Sequence, residues 1–99
     1  MDNEQVLIKA IDSGCLIDFY YEDKLIRKAA PHAIYISPTG KENLDAYQYD
    51  GYTKKGNLPD WRIFTLSKME NIIVSDQLFG EIQGYNSHSS KYNKYIHKI

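Results

Sequence analysis

Leu44-Asp-Ala-Tyr-Gln-Tyr49 and Trp61-Arg-Ile-Phe-Thr-Leu66 are two strand-like runs joined by a loop that carries glycine, lysine and proline, and their reading decides the fold. Leu44, Ala46 and Gln48 alternate with Asp45, Tyr47 and Tyr49. In the second run Trp61, Ile63 and Thr65 alternate with Arg62, Phe64 and Leu66, again the period of two expected of half-buried strands. The second run holds the only tryptophan. A guanidinium on an aromatic strand face near Gly51 and Gly56 suits a planar, anionic ligand.

Working outward, 99 residues imply one domain with a compact core, since a chain this short buries only about two-thirds of its unfolded surface. A net charge of -1 from 12 basic and 13 acidic residues argues against a surface given over wholly to a polyanion, and leaves room for a local basic patch. Cys15 has no internal disulfide partner and reads as a small buried hydrophobe in a reducing compartment. The start of the chain lacks the basic and apolar pattern of a signal peptide, and no apolar run reaches membrane-spanning length. The expectation is therefore a cytoplasmic protein with no membrane partner. Nine tyrosines suit pleated sheets and surfaces that stack or hydrogen-bond.

Asp2 or Asn3 can cap a helix in which Val6, Leu7, Ala10 and Ile11 recur at helical spacing until Gly14 stops it. From Cys15 to Tyr21 the period switches to two, with Cys15, Ile17, Phe19 and Tyr21 on one face. Glu22-Asp23-Lys24 is a polar turn, so Leu25 to Ala30 returns antiparallel. Pro31 cannot donate to a ladder and predicts an edge, bulge or bend before Ala33-Ile-Tyr-Ile36 resumes the extended path. Ser37-Pro-Thr-Gly40 is a turn. Asp50 to Pro59 is a loop of functional length, Ser67-Lys-Met69 a short turn and Asn71 to Ser75 the fifth strand. Tyr92, Tyr95, Ile96 and Ile99 fall at i, i+3, i+4 and i+7, which predicts a short C-terminal helix laid on the domain or on a second subunit. That stripe and the free strand edges predict a homodimer.

Enzymatic patterns are poor. No histidine pair has metal-site spacing, Cys15 with His32 lacks an orienting third group, and the glycines do not open a helix as a phosphate-binding turn requires. The reading is no catalysis, no metal and no cofactor. A better constellation is Arg27, His32, Tyr47, Gln48, Arg62 and Lys68, with Lys54 and Lys55 in the long loop. Guanidinium forks recognise phosphate, tyrosine and histidine rings stack on bases, and glutamine pairs with a base edge. The competing reading pairs Arg27 and Arg62 with Asp18, Asp45 or Glu22 across strands, packs Tyr47 in the core and leaves the lysines to water.

One helix followed by about five strands, with Arg27-Lys-Ala-Ala-Pro31-His32, Leu44-Asp-Ala-Tyr-Gln48 and Trp61-Arg-Ile-Phe-Thr-Leu-Ser-Lys68, resembles the WYL domain family over about residues 4 to 76. Tyr21, Arg27, Pro31, Leu44, Ala46, Tyr47, Arg62, Phe64 and Leu66 match that family's pattern, and Lys68 keeps the charge of its last arginine. Glu42 and Asn43 stand where the naming tryptophan and tyrosine fall. Pro31-His32, Tyr47-Gln48, Gly51, Trp61-Arg62 and Tyr85 are similar to the small standalone members, which lack the fused helix-turn-helix. The resemblance implies a single α+β domain: an N-terminal helix and a strongly bent five-stranded antiparallel sheet forming an Sm-like, SH3-like barrel over about 15–76, with an extension over 77–99; the alternative is an open sheet with the helix on one face. It implies a non-enzymatic sensor of a nucleotide or short single-stranded nucleic acid that regulates transcription through a partner, with Arg27, His32, Tyr47, Arg62 and Lys68 as carry-over positions. An interaction subunit that meets a protein partner through a tyrosine-rich surface is the alternative.

Overall fold

The computed structural model describes residues 2–53 and 56–99, so the expectations for Lys54 and Lys55 lie outside the described residues. The chain opens with helix α1 (Asn3–Ser13), whose first turn is capped by the Asp2 carboxylate accepting from the Gln5 amide at 2.9 Å. Gly14 closes it in the left-handed conformation, and Leu7, Ala10 and Ile11 form its buried stripe. Strands β1 (Cys15–Tyr20), β2 (Ile26–Ile36), β3 (Glu42–Gly51), β4 (Asp60–Thr65) and β5 (Glu70–Leu78) follow, with a 3₁₀ turn over Leu66–Lys68 between β4 and β5. The last two elements are a 3₁₀ turn at Ser90–Tyr92 and strand β6 (Tyr95–Lys98).

All strand pairs are antiparallel. The sheet runs β4-β3-β2-β1-β5 with β6 also on β2, and among the described residues it does not close. Among the described residues it therefore has six strands instead of five; β4 and β5 end its main path, and β6 pairs with β2 alone. The core lies under α1 on the face that carries Ile17, Phe19, Ala29, Ile34, Leu44, Ala46 and Phe64. Cys15 is half-buried, a correction to the expectation of full burial.

The predicted C-terminal helix is a strand. Pro31 lies where β2 shifts register against β3, between Pro31 and Ala33. Before that bulge β1 pairs with Ile26 to Ala29, and after it β1 has no further partner on β2. The backbone of Ala33, Ile34 and Tyr35 is left with open hydrogen-bonding groups, and β6 takes them with Lys98, His97 and Tyr95. Ile99 N–H adds a bond to the His32 carbonyl at 3.0 Å. Eight residues are too few for a stable unsupported helix, which is marginal below about 12 residues, whereas the vacant ladder satisfies each group directly. The apolar stripe that predicted a dimer is divided accordingly. Tyr92 is buried and Ile96 packs on the core, while Tyr95 stays exposed.

Glu42 at the start of β3 meets the first turn of α1. Its Oε1 is enclosed with no hydrogen-bond partner among the described residues. A shared hydrogen bond with the Glu4 carboxyl, followed by burial and the charges of Glu4 and Asp2, pushes Glu42 up to about 7 from 4.5. The folded state thus holds this proton more tightly than the unfolded state. The stability it contributes is complete below 4.5 and is lost as pH rises through about 7. We expect Glu42→Gln to be more stable than the parent at pH 8 and to lack that part of the pH slope, as read by urea unfolding across pH 4.5 to 8.

Candidate functional site

The six residues singled out in the sequence fall into three places. Arg27, Gln48 and Arg62 share the core-side face and line a cavity of about 240 Å³ with Tyr21, Tyr52 and Phe64. His32 and Tyr47 lie toward the opposite face, beside Trp61. Lys68 stands apart near the start of α1, 3.4 Å from Glu22.

Arg27 is buried and held bidentately by Asp23, with Nη1 donating to Oδ1 at 3.0 Å and Nη2 to Oδ2 at 2.7 Å. Its guanidinium sits 5.1 Å from the Tyr21 ring centroid and 5.4 Å from that of Tyr52. The Arg27 fork holds the Asp23 carboxyl well down, at about 2. Gln48 is buried as well, and its amide donates to the carbonyls of Asp50 and Tyr52 at 3.1 and 2.9 Å, pinning the chain as it leaves β3. That exit requires Gly51: its φ is +95°, and a Cβ there would stand 2.2 Å from the Ile26 carbonyl.

Arg62 behaves differently. Nη1 donates to Asp60 Oδ2 at 3.0 Å and to the Trp61 carbonyl at 2.9 Å, and Nη2 to Thr53 Oγ1 at 3.1 Å and the Asn57 carbonyl at 3.3 Å. Asp60 is more than half exposed, so water competes with this pair and its net worth is about 1 kcal/mol or less.

His32 is fully buried. Its Nε2 accepts from the Ile82 amide at 3.1 Å, so the ring is neutral and Nδ1–H donates to the Ala30 carbonyl at 2.9 Å. Trp61, Phe79 and Tyr85 surround it at centroid distances of 4.8, 5.2 and 5.0 Å. This histidine is a clasp that fastens the segment after β5 to the middle of β2, and no ring face is left for a base.

The segment so fastened completes a larger cavity of about 550 Å³ on the outer face of β4. Its walls are Trp61, Tyr85 and Tyr92, with Arg62 and Lys91 as cations and Asp45 among the lining residues. Trp61 and Tyr85 stack at 6.1 Å with 26° between planes. Gly84, at φ +98°, lets the backbone pass the indole, since a Cβ would lie 3.1 Å from Trp61 Nε1. Asp45 is the hub: Tyr35 Oη donates to Oδ1 at 3.0 Å, and Tyr92 Oη and Lys91 Nζ reach Oδ2 at 2.6 and 2.7 Å. Burial, with Asp45 adding to it, raises the Tyr35 and Tyr92 phenols, and burial pushes Tyr85 up to about 12, so all three stay protonated donors at neutral pH.

Lys91, Tyr92 and Asp45 were absent from the sequence-derived site. The signal present was alternation, which set Asp45, Tyr47, Trp61 and Ile63 on one face, together with the tyrosine excess in the tail. Comparison of the chain with known protein families, with curated proteins and with solved structures finds no match.

Burial lowers the His32 pKa below 6.5, overriding the opposing pull of the Ala30 carbonyl and of Glu81 and Asp45. The unfolded chain therefore binds this proton more readily. Stability is complete above 6.5 and is lost as pH falls through the folded-state value. Acidification from pH 7.5 should loosen the tail and change Trp61 fluorescence. His32→Ala should cost about 3 kcal/mol, from lost packing and the orphaned Ile82 amide, and should abolish that slope.

Proposed function

We propose that this chain is a non-enzymatic binding module for a nucleotide or short single-stranded nucleic acid, with the outer cleft as its principal site. One observation carries the reading: three aromatic rings and two cations converge on a cavity of about 550 Å³, within the size range of small-ligand pockets. Trp61 and Tyr85, both half-buried, offer ring surface for a base beside the buried Tyr92, and Arg62 and Lys91 offer charge-assisted hydrogen bonds to phosphate. Asp60 and Asp45 hold those cations in the free protein, so phosphate exchanges one anionic partner for another.

The resemblance to WYL domains agrees in kind with this reading, as does one helix before an antiparallel sheet. We read the fold as a strongly bent, Sm-like sheet, and the role as sensing in the cytoplasm that acts on transcription through a partner. Within the resemblance-derived positions, Arg62 is the one that lines the cleft, His32 and Tyr47 pack against its Trp61 wall, and Arg27 and Lys68 lie away from it.

Titration with nucleotides should quench Trp61. Arg62→Ala should weaken binding by about 1.5 to 3 kcal/mol, and Arg62→Lys should recover part of that loss, because an ammonium lacks the fork. The salt slope for a single strand, about 0.7 per phosphate contact, should fall by about one contact in the Ala variant. Unchanged affinity with the fold intact removes Arg62 from the site.

A second reading has its own observation. Ile63 on β4 and Ile73 and Leu78 on β5, the strands that end the sheet, are 57%, 63% and 72% exposed. Apolar residues on open strand edges favour pairing with another chain, most simply a second copy. Light scattering at tens of micromolar should give a dimer mass, and Ile73→Lys should return it to monomer. A monomer mass for the parent counts against this reading.

A further inference from the structure

Gln48 lies near the end of β3 with 1% of its surface exposed. Both hydrogens of its amide are spent on backbone, since Nε2 donates to the Asp50 carbonyl at 3.1 Å and to the Tyr52 carbonyl at 2.9 Å. Two acceptors facing the nitrogen fix which end of the amide is which. Among the described residues nothing donates to Gln48 Oε1, and the one sealed-off side-chain atom without a partner is Glu42 Oε1, so Gln48 Oε1 is not sealed. It opens to the core-side cavity of about 240 Å³, which Gln48 lines with Tyr21, Tyr52 and Phe64. Buried acceptors are as a rule hydrogen-bonded, and this one marks a place for a donor from outside the chain.

The charges around this cavity are matched within the chain: Arg27 is held by Asp23 at 2.7 Å, Arg62 by Asp60 at 3.0 Å and Glu22 by Lys68 at 3.4 Å. A further cation would meet the Arg27 guanidinium, which already stands 5.1, 5.4 and 5.9 Å from the ring centroids of Tyr21, Tyr52 and Phe64. An anion would meet the carboxylates of Glu22 and Asp23. A neutral molecule leaves every pair in place. Tyr52, 40% exposed, gives a flat body ring surface to lie against. The volume is below the roughly 300 Å³ at which pockets for drug-sized ligands begin, which limits the occupant to one small ring system.

We infer that the core-side cavity is a second binding site, for a small, uncharged, planar heterocycle whose ring N–H donates to Gln48 Oε1 beside the Tyr52 ring. The inference goes beyond the nucleotide reading and does not rest on it, because recognition here is by one neutral hydrogen bond and ring contact, without phosphate. One turn places both elements. Gly51, at φ +95°, folds the chain back so that the Tyr52 carbonyl reaches the Gln48 amide, and the Tyr52 N–H donates to the Ile26 carbonyl at 3.2 Å.

The test uses indole as the probe and 1-benzofuran, the same shape with oxygen in place of N–H, as its control, followed by calorimetry and by NMR signals of the glutamine amides and aromatic rings. Indole should shift the Gln48 and Tyr52 signals and bind about ten-fold more tightly than 1-benzofuran, the worth of one hydrogen bond to a buried neutral acceptor. Because the donor is removed from the ligand, the protein stays intact. Tyr52→Ala should weaken indole about five- to ten-fold, the value of an aromatic pair, and Tyr52→Phe should keep its affinity, with melting temperatures showing that both variants are folded. Indole-3-carboxylate should bind less tightly than indole. Equal affinity for indole and 1-benzofuran overturns the inference, as does tighter binding of the carboxylate. Signals that shift at Trp61 and Tyr85 and not at Gln48 put the ring in the outer cleft and overturn it as well. Absence of indole binding up to its solubility limit assigns Gln48 Oε1 to solvent and overturns it.

Discussion

Pro31 has no amide hydrogen, and it sits in the middle of the longest strand. The register shift beside it divides β2 into a half that pairs with β1 and a half that pairs with β6. A single long ladder would have left no vacancy for the tail. With the break, β2 pairs with three strands, β1, β3 and β6, and residues 95–98 become part of the sheet. His32, next to the break, then holds the start of the tail through its own Nε2. The outer cleft exists only because both fastenings, one by backbone ladder and one by imidazole, bring Tyr85, Lys91 and Tyr92 over β4.

The two arginines show how burial assigns different work to the same residue type. Around Arg27 the guanidinium is buried, the fork is matched on both nitrogens and three rings stand near, so removing Asp23 leaves a charge stranded away from water. Around Arg62 the carboxylate is in water and the backbone carbonyls are shared at ordinary lengths. Arg27 is therefore part of the framework. Arg62 is the cation whose carboxylate partner stands in reach of water.

The tyrosines are divided in the same way. Tyr35 and Tyr92 form a small second core with Ala33, and Tyr85 packs against it. Their hydroxyls converge on Asp45 or run out to the chain end, as Tyr85 Oη does to the Ile99 carbonyl at 3.2 Å. Aromatic bodies fill the space between sheet and tail while polar tips satisfy a buried carboxylate, which explains why a tail poor in aliphatic residues can pack at all.

Local signals in the sequence were enough for the elements whose partners are near in the chain. Asp2 and Gly14 bounded α1, alternation in Leu44 to Tyr49 and Trp61 to Leu66 placed β3 and β4 with their faces, and Pro31 marked the bulge. Those features depend on backbone geometry and on period, which a short window contains. The tail was misread because its stripe of Tyr92, Tyr95, Ile96 and Ile99 fits a helix by period, while the ladder that claims it lies some sixty residues earlier on β2. The site divided for the same reason. Residue type proposed Arg62 and His32 as equals, but only the folded chain sets one guanidinium at an edge beside water and encloses the imidazole between two backbone groups. Asp45 looked like a surface partner for an arginine, and tertiary packing made it the buried acceptor for Tyr35, Tyr92 and Lys91, since burial and convergence are properties of distant residues brought together.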